Sequence, residues 1–197
     1  MSIKLGVYNW QGFASGGGYY PDDLPDDWKL SYFSNEFSSA CVDLATEALD
    51  FDGLQQQVDG LSEDFELSLV FAGLAQLDQW LFYLQQLKFK PQALILPPTA
   101  FESLIRDESR LSRLRVSGIE PARQLMAQNR LWTPEKPCAQ CRIALFPAQN
   151  DMKQYRIWIE RWVGNRPELC ETLWLQGEAA NYSQLTKLRT LLELLGY

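Results

Sequence analysis

The chain has 197 residues, 46% of them hydrophobic, and a formal net charge of −7. It is long enough to bury one core but too short for two domains of ordinary size, and its hydrophobic content excludes a disordered chain. Because the acidic charge would repel a phosphate backbone, the sequence predicts a protein that does not bind nucleic acid.

The N-terminal residues lead directly into a polar, glycine-rich stretch, and no segment approaches the ~18 consecutive apolar residues of a membrane span. These features predict a cytoplasmic protein with no membrane partner. The sequence contains no histidine. Histidine is the commonest acid/base group near neutral pH and the commonest metal ligand, so its absence argues against many hydrolase and metalloenzyme mechanisms. No cofactor is predicted.

The first half of the chain alternates short apolar runs with stretches of helical periodicity. The apolar runs predict strands at residues 3–8, 39–44, 66–71 and 92–96. The periodic stretches predict helices at residues 28–37, 51–61 and 74–87. The glycine-rich residues 9–18 are predicted to form a loop, and Pro97 is predicted to end the fourth strand because proline lacks the N–H that a ladder requires.

The second half begins with residues 99–135, where the pattern indicates a helical, arginine-rich insert without a strand. The best helix candidates there are 103–114 and 120–129. After the insert, strands are predicted at 141–146 and 171–175, and helices at 152–163 and 182–195. The whole chain, 1–197, is therefore predicted to be one domain.

Alternation of strands and helices specifies parallel strands joined by right-handed crossovers, so the predicted fold class is α/β. Two architectures fit this order, an open doubly wound sheet and a (β/α) barrel. The chain has only six predicted strands, whereas a complete barrel has eight. It also has fewer than 200 residues, whereas the eight-stranded barrel typically has ~250. The pattern alone therefore favours the open sheet.

Three segments point to a particular family. The first contains Gly6, Trp10, Tyr20, Pro21, Leu30, Tyr32, Phe37, Val42 and Asp43. The second contains Leu87, residues 93–96, Pro97, Pro98 and Phe101. The third covers residues 155–162 and 173–195. Together they resemble the YecE-like family, known as domain of unknown function 72, in its first strand and helix, its fourth strand and its C-terminal elements.

This resemblance implies a TIM-like barrel of no established activity, shortened and incomplete, with about six to seven parallel strands. The sequence departs from the family pattern at polar positions. Asp43 stands where the family has Glu, Ala45 where it has Asn, and Gln176 where its last strand has His or Asn. The chain is thus predicted to preserve the architecture better than the chemistry.

Asp43 and Glu47 follow the second predicted strand, at the strand end where barrels and parallel sheets place their sites. They are the candidate catalytic acid/base pair, and the alternative is a pair of solvated carboxylates. Other polar and aromatic residues are predicted to share this rim: Asn9, Trp10, Tyr19, Tyr20, Gln176, Glu178 and Asn181. Such a rim suits a neutral or carbohydrate-like ligand or a protein partner. The alternative is that its aromatic residues close the barrel.

Four cysteines without an export signal predict reduced thiols: Cys41, Cys138, Cys141 and Cys170. The spacing of Cys138 and Cys141 allows both thiolates to bind one zinc ion, with Cys170 as a third ligand, but a fourth ligand is missing. A thioredoxin-type role is less favoured because the pair precedes a strand instead of opening a helix. Ordinary thiols are the preferred interpretation, so no metal site is predicted.

Six arginines in the insert form a docking face for an acidic partner, a contact for nucleic acid or a solvated helix face, of which the solvated face is favoured: Arg106, Arg110, Arg113, Arg115, Arg123 and Arg130. A barrel that lacks strands would leave an open edge, which a second copy of the chain could cover as a homodimer. The favoured function is a non-catalytic or vestigial barrel that binds a partner or small polar ligand at its rim. The rival is a hydrolase or isomerase that acts on a small polar substrate with Asp43 and Glu47.

Overall fold

The computed structural model describes residues 2–15, 18–46, 50–87, 89–138, 141–164, 166–176 and 180–197. Within these residues, seven parallel strands are connected mostly by α-helices. The strands are β1 (Lys4–Tyr8), β2 (Ser39–Asp43), β3 (Glu66–Val70), β4 (Ala93–Leu96), β5 (Leu125–Ala127), β6 (Ile143–Phe146) and β7 (Thr172–Gln176). The helices are α1 (Trp10–Ser15), α2 (Lys29–Ser34), α3 (Phe51–Val58), α4 (Leu74–Gln86), α5 (Pro98–Leu104), α6 (Glu108–Val116), α7 (Pro121–Gln124), α8 (Met152–Val163) and α9 (Tyr182–Leu194).

Several helices begin at a polar residue whose side chain accepts a hydrogen bond from the first turn. Asp50 caps α3, Asp107 caps α6 and Asp151 caps α8. Asn181 caps α9 in a capping box with Gln184, whose side chain accepts from the Asn181 backbone N–H in return. These caps satisfy backbone donors that the helix itself leaves unpaired, and so they fix where each helix starts.

The sheet curls until its two edges meet. The strand order is β5-β4-β3-β2-β1-β7-β6, so β5 and β6 are the edge strands. Trp132, which follows β5, forms an isolated parallel bridge with β6. Its N–H donates to the Ile143 carbonyl at 2.9 Å, and the Leu145 N–H donates to the Trp132 carbonyl at 2.8 Å. The predicted TIM-like barrel with an incomplete ring of strands is confirmed, and the open doubly wound sheet is not formed.

Alternate side chains of the strands separate into two cores. One set packs outward against the helices. The inner set makes a second cluster, which comprises Cys41, Val70, Ala93, Ile95, Leu131, Ile143 and Trp174, with Tyr8, Met126 and Leu145 packed against it. The inside of the barrel is thus filled with side chains, as in complete (β/α) barrels.

Trp174 is the largest side chain in this inner cluster, and it is fully buried. Its indole Nε1–H donates to Ser39 Oγ at 2.9 Å. Gly6 lies in register between these two residues, on the strand that separates them. Deeper in the barrel, Thr172 Oγ1 donates to Glu66 Oε2 at 3.0 Å, a bond between β7 and β3 that only a strongly curled sheet allows.

Ser68 also lies in the interior, between Cys41 and Ala93 in the strand register. It is 1% exposed, and its hydroxyl has no hydrogen-bond partner among the described residues. Because an unpaired buried hydroxyl costs desolvation energy, Ser68→Ala is expected to leave the free energy of unfolding unchanged or to raise it by up to about 1 kcal/mol. Urea denaturation would measure this.

The matched control for Ser68 is Ser39→Ala, another fully buried serine of the interior. The Ser39 hydroxyl accepts from Trp174 and donates to the Glu66 carbonyl at 3.0 Å. Its removal leaves the indole N–H unpaired and is expected to lower the free energy of unfolding by about 1–3 kcal/mol. If Ser68→Ala destabilises as much as Ser39→Ala does, the Ser68 hydroxyl has a partner after all.

Several predictions from the sequence are wrong in detail. Helix α1 stands where residues 9–18 were predicted to form a loop, and β5 stands inside the insert predicted to lack a strand. Strand β5 has only three residues, too few for a periodicity of two to show. The predicted helix 103–114 is divided between two helices, because α5 ends at Leu104 and Asp107 caps the start of α6. The predicted helix 120–129 is also wrong, because α7 ends at Gln124 and β5 follows it directly. No helix in the described part of the chain is both long and apolar enough to cross a membrane.

Candidate functional site at the carboxyl ends of the strands

The strand register brings four residues together at the carboxyl end of the sheet, two of them predicted from the sequence and two not. Tyr8, the last residue of β1, pairs with Cys41 on β2 and with Gln176 on β7. Asp43 follows Cys41 on the same face of β2 and pairs with Val70 on β3. Gln176 is exposed, whereas Asp43 is only 8% exposed. This rim is where barrels of this type place their sites.

The Asp43 carboxylate is used locally. Its Oδ1 accepts a hydrogen bond from the Ala45 backbone N–H at 2.9 Å, which forms the turn that ends β2. Glu47, the predicted partner of Asp43, lies outside the described residues, so the predicted acid/base pair stays a prediction.

Tyr8 and Cys41 are rim residues that sequence reasoning missed. Burial raises the pKa of the Tyr8 hydroxyl far above its usual value, and the nearby Cys41 and Asp43 raise it further. Burial likewise raises the pKa of the Cys41 thiol, again with help from the Asp43 charge. Both groups therefore stay protonated at neutral pH, and neither is prepared to act as a base or nucleophile. Both residues alternate along their strands with apolar residues that face outward. This alternation is the sequence pattern that could have placed them inside the barrel.

Asn9 turns the chain from β1 into α1. Its φ of 55° is the left-handed conformation, which asparagine tolerates better than most residues. The side chain, 8% exposed, accepts from the Gly12 N–H through Oδ1 at 3.3 Å. Asn9 is thus placed at the predicted rim, where its described hydrogen bond holds the first turn of α1.

The aromatic residues of the rim form one cluster with α2 and α9. Trp10 is 2% exposed, and its Nε1–H donates to the Tyr20 hydroxyl at 3.2 Å. Tyr19 stacks on Tyr182 with ring centroids 5.1 Å apart and contacts Phe13 at 5.6 Å. The Tyr19 hydroxyl is buried and has no hydrogen-bond partner among the described residues. Burial, followed by the nearby Glu36 charge, raises the pKa of this hydroxyl well above its usual value.

A cavity of about 330 Å³ opens beside this cluster, between the residues that follow β1 and those that follow β7. Its described lining is Phe13, Gly18, Tyr19, Ala180, Asn181, Tyr182 and Ser183. Asp43 is not in that lining. Of the predicted rim residues, the structure therefore brings Tyr19 and Asn181 to one cavity and places Trp10 and Tyr20 in the packed cluster beside it. Glu178 lies outside the described residues.

The cysteines differ in part from the prediction of four reduced thiols. Cys138 and Cys141 form a disulfide, while Cys41 and Cys170 are buried free thiols. The described residues contain no group of three or more His, Cys, Asp or Glu side chains that could hold a metal ion. A zinc site built on Cys138, Cys141 and Cys170 therefore has no support from the geometry.

Several arginines of the insert bind acidic residues of the same chain. The Arg110 and Arg113 guanidinium groups both bind Asp78 of α4, at 3.0 and 2.7 Å. Arg115 binds Glu108 at 2.6 Å, and Arg130 lies over the Phe101 ring at 5.0 Å. The Arg110 and Arg113 contacts attach α6 to α4, and the ion pairs use charge that an acidic partner would need.

The fold has counterparts among solved structures. A DUF72 family protein from Thermotoga maritima aligns with 98% of this chain and 100% of its own length, at 12% sequence identity and a TM-score of 0.51. This chain has a DUF72 fold. The resemblance predicted from its sequence is thus confirmed at the level of the fold. A DUF72 family protein from Enterococcus faecalis aligns with 99% of this chain and 98% of its own, at 9% identity and a TM-score of 0.45. No protein-family model and no curated protein matches the sequence.

Proposed function

We propose that this divergent DUF72-like protein works by binding a small, neutral, carbohydrate-like ligand in the aromatic cavity of its rim, without catalysing a reaction. The observation that carries this proposal is the aromatic lining of the cavity, where Phe13, Tyr19 and Tyr182 meet and no described lining residue is charged. Aromatic side chains with a few polar groups around a concave space are typical of sites for small ligands.

The lining suits a ring with apolar faces and hydroxyl edges. Phe13, Tyr19 and Tyr182 offer aromatic surface on which a sugar ring can stack. None of the described lining residues carries a formal charge, so a charged ligand would lose hydration without an opposite charge in return. At about 330 Å³, the cavity is at the small end of ligand sites, a size that suits a single sugar ring.

Two features argue against catalysis at the same rim. Asp43 is engaged in the turn after β2, and its neighbours Tyr8 and Cys41 have raised pKa values. The space below them is filled by the inner cluster around Trp174. The rival function, a hydrolase or isomerase with Asp43 and Glu47 as acid/base, would need the two carboxylates to face one substrate.

Saturation-transfer NMR with neutral methyl glycosides tests the proposal directly. We expect binding of at least one neutral glycoside and no binding of gluconate. Tyr182→Ala removes one aromatic face of the cavity and is expected to weaken that binding by about 3- to 10-fold, as the loss of one aromatic stacking contact predicts. Trp28→Ala is the control, because Trp28 is 63% exposed and lies outside the cavity.

The possible outcomes separate the two functions. If no neutral glycoside binds, or if Tyr182→Ala binds as well as the unchanged protein, the proposed site is wrong. Turnover of a p-nitrophenyl glycoside that Asp43→Asn abolishes would instead establish the enzyme.

A protein partner, a homodimer and a cytoplasmic location stay predictions. The bridge between Trp132 and β6 already satisfies part of the strand edge that a second copy was expected to cover. A sedimentation mass equal to one chain would exclude the homodimer.

A further inference from the structure

A second cavity, of about 400 Å³, lies at the opposite end of the barrel from the aromatic rim. Cys141 comes just before β6 and Cys170 just before β7, so this is the amino end of the parallel strands. The Cys138–Cys141 disulfide and the Cys170 thiol all line the cavity, together with Arg161, Arg166 and Trp132. Three of the four cysteines of the chain thus meet at one opening.

We propose that the Cys138–Cys141 disulfide is a thiol-exchange site for a small, negatively charged thiol that binds in this cavity. This activity is separate from the ligand binding proposed for the rim, since it uses other residues at the other end of the barrel.

The charge of the cavity selects the ligand class. The protein carries a net charge of −7, yet the charged residues in the described lining are Arg161 and Arg166, with no carboxylate. Both arginines are exposed, and Arg161 lies over the Trp132 ring at 5.9 Å. A carboxylate-bearing thiol would therefore be attracted here while the rest of the surface repels it. Positive charge also stabilises the thiolates that exchange consumes and releases.

Accessibility selects the sulfur that is attacked. Cys138 is partly exposed, whereas Cys141 is only 5% exposed. The Cys141 backbone is also held in place, because its carbonyl accepts a hydrogen bond from the buried Trp162 Nε1–H at 2.9 Å. An incoming thiolate therefore reaches Cys138 Sγ, and Cys141 is the leaving group.

The small thiol is the only reductant that this exchange needs. The thiolate sulfur bonds to Cys138 Sγ while the Cys138–Cys141 bond breaks, and Cys141 leaves as a thiolate that takes a proton from water. A second molecule of the thiol then attacks the ligand sulfur of the mixed disulfide. It forms an oxidised ligand dimer and releases the Cys138 thiolate. Two thiols are oxidised to one disulfide, and the protein disulfide is reduced to two thiols.

Cys170 takes no part in the proposed exchange. Its thiol is buried and lies 3.8 Å from the Trp162 and Arg166 carbonyl oxygens. Burial, with a smaller effect of the Glu168 charge, raises the pKa of Cys170 to about 11, so the thiol is protonated at neutral pH. It should therefore carry no adduct.

The test treats the folded, oxidised protein with glutathione, an anionic thiol, or with cysteamine, a cationic one, at equal thiolate concentrations. Reactions are quenched with acid, and the mixed disulfide is located by peptide mass spectrometry. We expect an adduct on Cys138 that forms about three- to fivefold faster with glutathione than with cysteamine. The double variant Arg161→Gln, Arg166→Gln should bring this ratio close to one.

The control is Arg156→Gln, which removes a positive charge from the same helix but outside the cavity, where Arg156 binds Glu160 at 2.8 Å. It should leave the ratio unchanged. Because both thiols attack the same disulfide, a variant that merely loosens the fold changes both rates and not their ratio. The proposal is overturned if the disulfide reacts only after unfolding in urea, if the adduct forms on Cys141 or Cys170, or if the double variant keeps the preference for glutathione.

Discussion

Replacing Gly6 with alanine is expected to lower the free energy of unfolding by about 3–5 kcal/mol. A Cβ at this position would lie 1.7 Å from the Ser39 carbonyl oxygen and 2.4 Å from its carbon. Both are backbone atoms of β2, and β1 is paired with β7 on its other side, so neither strand can move away without breaking its own ladder. The added methyl group would also disturb the hydrogen bond between Trp174 and Ser39.

Gly73→Ala is the matched control for this substitution. A Cβ at Gly73 meets no atom within 4 Å. Its backbone is extended, with φ of 167°, so alanine fits there without strain. We expect a loss of less than about 1 kcal/mol, as for a change at a helix N-cap that has no side-chain bond. Urea denaturation followed by far-UV circular dichroism measures both variants. Equal losses would show that the close approach of β1 and β2 does not limit the residue at position 6.

Trp174→Ala is the second substitution expected to have a large effect, a loss of about 3–5 kcal/mol. The side chain is fully buried in the inner cluster, and its ring centroid lies 6.1 Å from that of Tyr8. Truncation removes the largest inner side chain and leaves a cavity in the middle of a ring of strands. Strand β7, which carries Trp174, is held by ladders with β1 and β6, so the sheet resists collapse into this cavity. The Ser39 hydroxyl also loses its donor.

The control for Trp174 is Trp28→Ala, since Trp28 is 63% exposed. A change of less than about 0.5 kcal/mol is expected there. Circular dichroism is the appropriate measurement, because both substitutions alter the tryptophan fluorescence. A loss of under 1 kcal/mol in Trp174→Ala would mean that the barrel interior can repack around a missing indole.

Long periodic elements could be predicted from the sequence, and short ones could not. Helix α8 begins and ends at the predicted residues, because apolar positions recur through three turns and Asp151 caps its start. Strand β5 and helix α1 were missed, because three and six residues show little periodicity. Their positions depend on neighbouring strands that the local sequence does not contain.

The site was predictable only in its general position. Strand ends meet on one rim, so the neighbourhood of Asn9, Asp43 and Gln176 follows from topology alone. The roles of individual residues depend on rotations of loops and helices. The Asn181 side chain is of a polar type that often contacts ligands, yet its amide oxygen is used to cap α9. The Cys138–Cys141 pair has the spacing of metal ligands, yet its sulfurs are joined.

The two edges of the sheet are joined at a seam, the bridge between Trp132 and Ala144, where the strand pairing is weakest among the described residues. Elsewhere neighbouring strands share ladders of three to five paired residues, but β6 meets the chain after β5 through a single bridged residue and its two backbone hydrogen bonds. Opening this seam breaks far fewer bonds than unfolding does. Local opening of the ring is therefore expected to begin at Trp132, next to the cavity that Trp132 and the disulfide share.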